Sequence, residues 1–445
     1  MDQLKLDTDR TLKYAGDPPD GFKMTEIGEL PAKWTVAALK KAVKREKHTV
    51  NPQQHPDEEF TYYSIPAYQE KALPITERGS RIRSQKLIVP TGSTLFGKLN
   101  PRVPKIWRVQ PSKLRKIASA EFIQLDPDPE QVDGSFLFYL CQSGFVLPRS
   151  QKLVSGSTPS RQRVDVKAFL DLRIPLPPLP EQRAIARLLR AVQEAIWATE
   201  RVIEAAKELK RSMMEYLFTY GPVPVDQADQ VDVAESGIGR GPIAWRIARL
   251  GDVARTASGG TPNRKRPEYY GGRVPWVKSG ELNDGPVGST EEAITELGLR
   301  ESSAKIFSSG TLLVAMYGAT AGKVGMLIGP AATNQAVCAV FPGEQASPTY
   351  LFHAIMRRRF ALLEERYGGA QPNISQQVLR AFKLPLPELQ TQLEVVHLLE
   401  AVDVKLRHEL RQKDAIQATF ASLLHNLMMG KIRVTPTEQD MEASE

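Results

Sequence analysis

Two stretches of this chain place apolar side chains at helical spacing, the first at alternating steps of four and three. In the first, Ile185, Leu189, Val192, Ile196, Thr199, Ile203 and Ala206 are apolar or small, Lys210 interrupts, and Met213 and Leu217 resume the pattern. In the second the positions are Val395, Leu399, Val402, Leu406, Leu410, Ile416, Phe420, Leu423 and Leu427. Side chains three and four residues apart share a helix face, so each stretch predicts a long helix with one seam. Neither Pro nor Gly occurs between Glu181 and Tyr220, where Ala, Leu, Glu, Arg and Lys dominate and favour helix. Gly221-Pro222 and Gly430 end the two runs. Some forty residues make a rod of about 60 Å, which outreaches a domain of about 150 residues with a radius of gyration near 15 Å. A seam packed on its own domain is the plainer alternative, but a partner of equal length fits better. Ile185, Leu189, Val192, Ile196 and Ile203 are therefore expected to pair with Val395, Leu399, Val402, Leu406 and Leu410. Antiparallel pairing would put the two preceding domains at opposite ends.

Ahead of each helix the pattern shortens. Apolar runs rich in β-branched and aromatic residues predict strands at Phe60–Ile65, Leu87–Val89, Thr94–Phe96, Lys305–Phe307, Thr311–Tyr317 and Ala336–Phe341. One helix is expected in each half, at Ser135–Gly144 and Thr349–Tyr367. The fold class is α+β, taken twice, with a pair of long antiparallel coiled-coil helices and an internal pseudo-two-fold repeat.

The repeat is legible in the residues. Ile27-Gly28-Glu29-Leu30-Pro31-Ala32-Lys33-Trp34 recurs as Ile238-Gly239-Arg240-Gly241-Pro242-Ile243-Ala244-Trp245, and Pro242 lies 211 positions after Pro31. Ile174-Pro175-Leu176-Pro177-Pro178-Leu179 recurs as Leu384-Pro385-Leu386-Pro387-Glu388-Leu389, 210 positions on. One offset, holding to within a residue at both ends, marks two copies of a domain-plus-helix unit. The boundaries read as a polar segment 1–30, a domain 31–177, a proline hinge and helix 178–221, a linker 222–241, a second domain 242–387, a helix 388–430 and a polar tail 431–445.

Composition narrows the chemistry. A formal charge of +8 points to a polyanionic partner. Cys141 and Cys338 lack any metal or redox spacing, and the six histidines form no ligand cluster, so no metal site is expected. No apolar run approaches the roughly 20 residues that span a bilayer, and a cytoplasmic protein without membrane contact is expected. Three near-matches carry no catalytic chemistry. Asp17-Pro18-Pro19-Asp20 lacks the aromatic residue that would clamp a flipped base. Gly318-Ala319-Thr320-Ala321-Gly322-Lys323-Val324 is one residue short of a phosphate loop and has Val where Ser or Thr would hold Mg²⁺. Gly237, Gly239 and Gly241 lack the spacing of a dinucleotide site. No catalytic residue is assigned.

Several short motifs, weak singly, occur in a telling order. They are Thr25-Glu26-Ile27-Gly28-Glu29-Leu30-Pro31 with Trp34, Leu95-Phe96-Gly97-Lys98-Leu99-Asn100-Pro101, Gly259-Gly260-Thr261-Pro262, Val274-Pro275-Trp276-Val277, Thr333-Asn334-Gln335-Ala336 and Gln371-Pro372-Asn373-Ile374-Ser375. With the duplicated hinges and helices, the chain resembles the specificity subunit of a type I restriction-modification system over nearly its whole length. The resemblance implies two target-recognition domains, each reading half of a split, asymmetric double-stranded DNA target. It implies helices that set the spacer and dock two modification (methyltransferase) subunits, with restriction (translocase and endonuclease) subunits joined through them. It implies that this subunit binds no cofactor itself, S-adenosylmethionine, ATP and Mg²⁺ belonging to the partners. The first half departs from the second in its loop, Gly156-Ser157-Thr158-Pro159-Ser160-Arg161 against Gly369-Ala370-Gln371-Pro372-Asn373.

Within that architecture two basic stretches are the candidate DNA contacts, since Arg and Lys neutralise phosphates and Arg also pairs with base edges. One comprises Arg81, Arg83, Lys86, Lys98, Arg102 and Lys105 beside Tyr62 and Tyr63. The other comprises Arg264, Lys265 and Arg266 beside Tyr269 and Tyr270, then Lys278, Tyr317 and Lys323. Each of these is also readable as a solvated loop cation. Arg357-Arg358-Arg359 is expected on an outer helix face, Asn334 and Gln335 in strand support or base contact, and Val202 and Met214 in partner docking. Two rival functions make different predictions. A coiled-coil scaffold without DNA recognition would show no salt-dependent DNA binding, and a self-sufficient modification enzyme would need a methyl-donor loop that the sequence lacks.

Overall fold

The structure, a computed structural model of the chain, describes residues 19–44, 46–156, 158, 162–364 and 373–442. It divides into two compact units, Met1–Thr199 with Gln412–Glu445, and Glu200–Arg411. Each unit holds one α+β domain and part of both long helices.

The first unit opens on a hairpin, Phe22–Thr25 against Gly28–Pro31, so part of the expected polar segment is a strand pair. Gly28 takes φ +114° in its turn, a backbone that favours glycine. Trp34 is fully buried, and Thr35–Ala38 then pairs antiparallel with Arg173–Leu176. The expected proline hinge therefore begins as a strand; Pro175 is tolerated because the sheet has only two strands and an open edge. Between these lie a four-stranded sheet (Ile106–Arg108, Thr94–Gly97, Phe122–Pro127, Val43–Lys44) and a five-stranded one (His48–Val50, Lys86–Ile88, Arg115–Ala118, Glu59–Tyr63, Ile75–Arg78). Helix Gly134–Gln142 starts where the Asp133 carboxylate accepts the amides of Ser135 and Phe136. It carries Phe136, Leu137 and Leu140 into a core shared with Trp34, Ile185 and Leu189.

The second unit repeats this plan. Hairpin Val233–Ser236 with Gly239–Pro242 occupies the expected linker, and Arg246–Arg249 pairs with Lys383–Leu386. A five-stranded sheet runs Ala254–Ser258, Val337–Pro342, Leu312–Ala315, Val324–Leu327, Gly285–Val287, and a four-stranded sheet Glu292–Ile294, Tyr270–Val277, Ala331–Thr333, Ile306–Phe307. The helix expected over Thr349–Tyr367 is Pro348–Arg357 followed by a separate Arg359–Glu364; residues 365–367 lie outside the described part.

The long helices span Leu179–Tyr220 and Leu389–Met428, 42 and 40 residues. In the first unit the start of one meets the end of the other, Ile185, Ala186 and Leu189 clustering with Leu424, Leu427 and Met428. In the second unit the order is reversed, Met214, Leu217 and Phe218 clustering with Val395, Val396 and Leu399. The pairing is antiparallel. Ile196, Ile203 and Val402 are buried and Val192 and Leu406 half-buried, whereas Leu410 is 45% exposed and Glu409 takes its seam place. The four-three step from Leu406 lands on 409, so the expected Leu410 was one residue out of phase. Met214 is likewise buried in the core rather than free for a partner, while Val202 is exposed. The expected polar tail is docked: Arg433 grips Glu181 with two hydrogen bonds of 2.6 and 3.0 Å, and Asp440 accepts from Arg187 at 2.7 Å.

Candidate nucleic-acid interface

The structure sorts the expected DNA contacts by exposure. In the first half Arg81, Arg83 and Arg102 are exposed. Arg81 lies 3.9 Å from Glu77, and Arg83 and Arg102 form no ion pair among the described residues. Arg83 precedes a strand of the five-stranded sheet and Arg102 follows one of the four-stranded sheet, so the basic stretch spans two sheets.

Two of the expected lysines are not surface cations. Lys86 is buried, and its Nζ donates to the Arg83 carbonyl, to Ser84 O at 3.0 Å and to Ser84 Oγ at 2.9 Å. Lys105 is buried too, donating to Val103 O at 2.8 Å and Leu99 O at 3.2 Å. Burial pushes both ammonium groups below their ordinary range. Each draws in the carbonyls of a loop that displays an arginine, and each loop holds one residue at positive φ, Ser84 and Asn100. Lys98 is half-buried and also lowered, by burial first, with Glu121 opposing. Tyr63 belongs to the core, its ring edge-on to Trp107 and its hydroxyl accepting the Gln110 amide at 3.0 Å. Tyr62 is half-buried, 5.7 Å from Lys86 Nζ.

In the second half Arg264, Arg266 and Lys278 are already partnered. Arg264 lies over Tyr270 at 4.6 Å and Trp276 at 5.0 Å, and reaches Glu292 at 2.6 Å. Lys278 reaches Glu291 at 2.6 Å and Glu292 at 3.1 Å. Arg266 reaches Glu268 at 2.7 Å and Glu301 at 3.3 Å. The hydrogen bond from Arg264 holds the Glu292 carboxyl below its usual range. Tyr269 is buried beneath Arg266 and gives its hydroxyl to Glu301, so it is not the surface contact expected. Lys265 is exposed, Lys323 half-buried, and Tyr317 is 40% exposed. Thr320 donates to Ser279 O at 2.9 Å, bringing the turn before Lys323 beside the turn after Lys278.

The glycine-rich motif is structural. A Cβ on Gly259 would stand 2.1 Å from Thr333 O, and one on Gly260 2.3 Å from Ser303. The Trp276 indole donates to Gly260 O at 3.0 Å. Asn334 supports a turn, accepting from Ala336 N at 3.2 Å, and Gln335 accepts from Thr261. The Gly318–Val324 loop leads into strand Val324–Leu327, not into a helix whose amides could face a phosphate. Arg357, Arg358 and Arg359 are half-buried: Arg357 pairs with Glu215 at 2.9 Å, Arg358 caps the Lys383 carbonyl, and Arg359 binds Asp284. The outer-face placement expected for them is thus wrong, because the helix ends at Arg357 and the chain turns inward. Asp17, Pro18 and loop residues 157, 159–161 and 369–372 lie outside the described part.

Sequence reasoning missed three polar clusters at the long helices. Lys210 pairs with Asp403 at 2.6 Å across the long helices, with His353 Nε2 4.0 Å from the same carboxylate. The His353 imidazole is pushed down to about 3 by burial and the nearby Lys210 charge. The interruption of the seam at Lys210 was the available signal. Gln182 and Gln392 centre the other two, at equivalent positions of the duplicated hinge. Among the described residues no group of three His, Cys, Asp or Glu could hold a metal ion, and no helix is long and apolar enough to cross a membrane.

The fold defines a duplicated α+β protein with two antiparallel braced helices and exposed cations on each domain. The chain belongs to the family of the type I restriction modification DNA specificity domain, whose model matches residues 19–208 and 242–418. The specificity subunit of the type I restriction enzyme MjaVIII of Methanocaldococcus jannaschii is 28% identical over 328 residues, 72% of this chain and 75% of that one. The EcoR124I/EcoR124II specificity subunit of Escherichia coli is 28% identical over 169 residues, 37% of this chain and 41% of that one. The fold also matches the type I restriction-modification S subunit of M. genitalium, with TM-score 0.57 and 15% identity over 88% of this chain and 96% of that one.

Proposed function

We propose that this chain is the DNA-sequence-recognition subunit of a type I restriction-modification complex. Each domain reads one half of a split target, and the paired helices hold the two readings at one spacing. The observation that carries this is the duplication of domain, hinge strand and helix together, with the helices antiparallel. Two readers on one chain make the second contact intramolecular, so neither has to bind tightly alone.

Arg81, Arg83, Arg102, Lys265 and Lys323 are the cations available to phosphates. Arg264, Arg266 and Lys278 would exchange their carboxylates for DNA. Trp197, Val202 and Leu209 on one helix, and Leu393, Leu398 and Val404 on the other, are exposed apolar residues. They are the surface for two modification subunits, and restriction subunits join through those. Methyl transfer from S-adenosylmethionine and ATP- and Mg²⁺-dependent translocation and cleavage belong to the partners, in the cytoplasm; this chain contributes recognition and no catalytic group.

The test is selection of binding sites from random DNA by the purified chain, with affinity then followed against salt. A gapped pair of half-sites is expected, with log affinity falling linearly with log salt at about 0.9 per phosphate neutralised. Salt-independent or undetectable binding would instead favour a protein-only scaffold.

A further inference from the structure

Gln182 and Gln392 occupy equivalent places near the start of the two long helices, and both are buried. The Gln182 amide nitrogen donates to Pro177 O at 2.8 Å, in the hinge, and to Gln131 O at 3.1 Å, in the domain. Its oxygen accepts Asp133 N at 2.9 Å, and Asp133 is the N-cap of helix Gly134–Gln142. Gln392 donates to Pro387 O and Gln345 O, both at 2.9 Å, and accepts Ser347 N at 2.9 Å. Ser347 is the N-cap of helix Pro348–Arg357. One three-way bracket is thus built twice, with Pro and Gln carbonyls as acceptors in both halves and only the N-cap residue, Asp133 or Ser347, differing.

We propose that Gln182 and Gln392 are positioning residues that fix the angle of each reading domain on its long helix, and so hold the gap between half-sites to one length. The proposal rests on the DNA-recognition reading above. Three elements meet at each amide: the hinge, the domain helix and the long helix. Apolar packing between the domain and the long helix is non-directional and tolerates small rotations. Three hydrogen bonds to backbone groups of separate elements do not, because rotation strands buried donors and acceptors. A domain that only read bases would have no need of this bracket, whereas a domain read in concert with another does.

The experiment compares the full chain with Gln182→Met and Gln392→Met, substitutions that keep volume and remove the bonds. Site selection and binding are measured on DNA with the half-sites held constant and the gap varied by single base pairs. The half-site sequences should stay unchanged, while discrimination against a gap one base pair longer or shorter falls about tenfold in each variant. Gln182→Glu and Gln392→Glu keep the acceptor, lose the donors and should relax the gap in the same direction, which covers the case where a Met variant fails to fold. Unchanged gap preference in folded variants overturns the proposal. Relaxed half-site sequence instead of relaxed gap overturns it as well, placing the glutamines in reading rather than positioning. A native chain that selects no gapped site overturns the recognition reading itself, and this proposal with it.

Discussion

Arg83 and Lys86 are indistinguishable as sequence, two cations three positions apart, yet one faces solvent and the other is buried under carbonyls. Between them Ser84 holds positive φ and the Arg83 and Ser84 carbonyls accept from Lys86, and nothing in the local pattern foretells it. Arg102 and Lys105 divide likewise, the first exposed and the second buried with Nζ on the Leu99 and Val103 carbonyls. Arg83→Ala and Arg102→Ala should each lower the salt dependence of DNA binding by about one ion and leave the melting temperature unchanged. Lys86→Met should do the reverse, lowering the melting temperature by stranding the carbonyls of Arg83 and Ser84. His353 gives a pH signature. Its imidazole stays neutral in the fold down to about pH 3, while in the unfolded chain it titrates near its ordinary 6.5. Below pH 6.5 the unfolded state therefore binds a proton that the folded state refuses. Its contribution is complete above that pH and is lost at about 1.4 kcal/mol per unit as pH falls toward about 3. Denaturation midpoints followed against pH should fall less steeply in His353→Leu; parallel curves would mean that the imidazole is not held neutral.

Among the elements, the long helices were the most legible, because a repeat sustained over forty residues outweighs local noise. Their error was one of phase: continuing the four-three step past Leu406 leads through Glu409 and Lys413 to Ile416. A seam drawn through apolar residues alone slips onto Leu410. The strands at the hinges and the two hairpins were unreadable for the opposite reason. They are four residues long, one strand of each pair carries Pro or Gly, and they acquire their form only from partners more than a hundred residues away or from a turn. The polar interruption at Lys210 is informative, since it meets Asp403 with both side chains largely buried. Removing one charge, in Lys210→Met or Asp403→Leu, should cost about 3 kcal/mol in chemical denaturation, and the double variant should recover most of it. Additive losses would show that the two side chains act independently.

For the molecule as a whole, the duplication is legible at both ends of the repeat from residue order alone, because scaffold residues recur at one offset while the reading domains diverge. The surface that meets DNA is not legible in that way. Charge alone misplaces it, since Lys86 and Lys105 are buried and Arg264, Arg266 and Lys278 are already paired with Glu292, Glu268 and Glu291 in the fold. The paired helices are the part of the fold common to both readings, and the spacing between half-sites should follow their length. One heptad added to each long helix keeps the four-three seam and lengthens the rod by about 10 Å, about three base pairs of DNA at roughly 3.4 Å each. Site selection by the native and lengthened chains measures this directly. The same two half-sites with a gap longer by about three base pairs is the expected result. An unchanged gap from a folded, lengthened protein would contradict the role of the helices as the ruler.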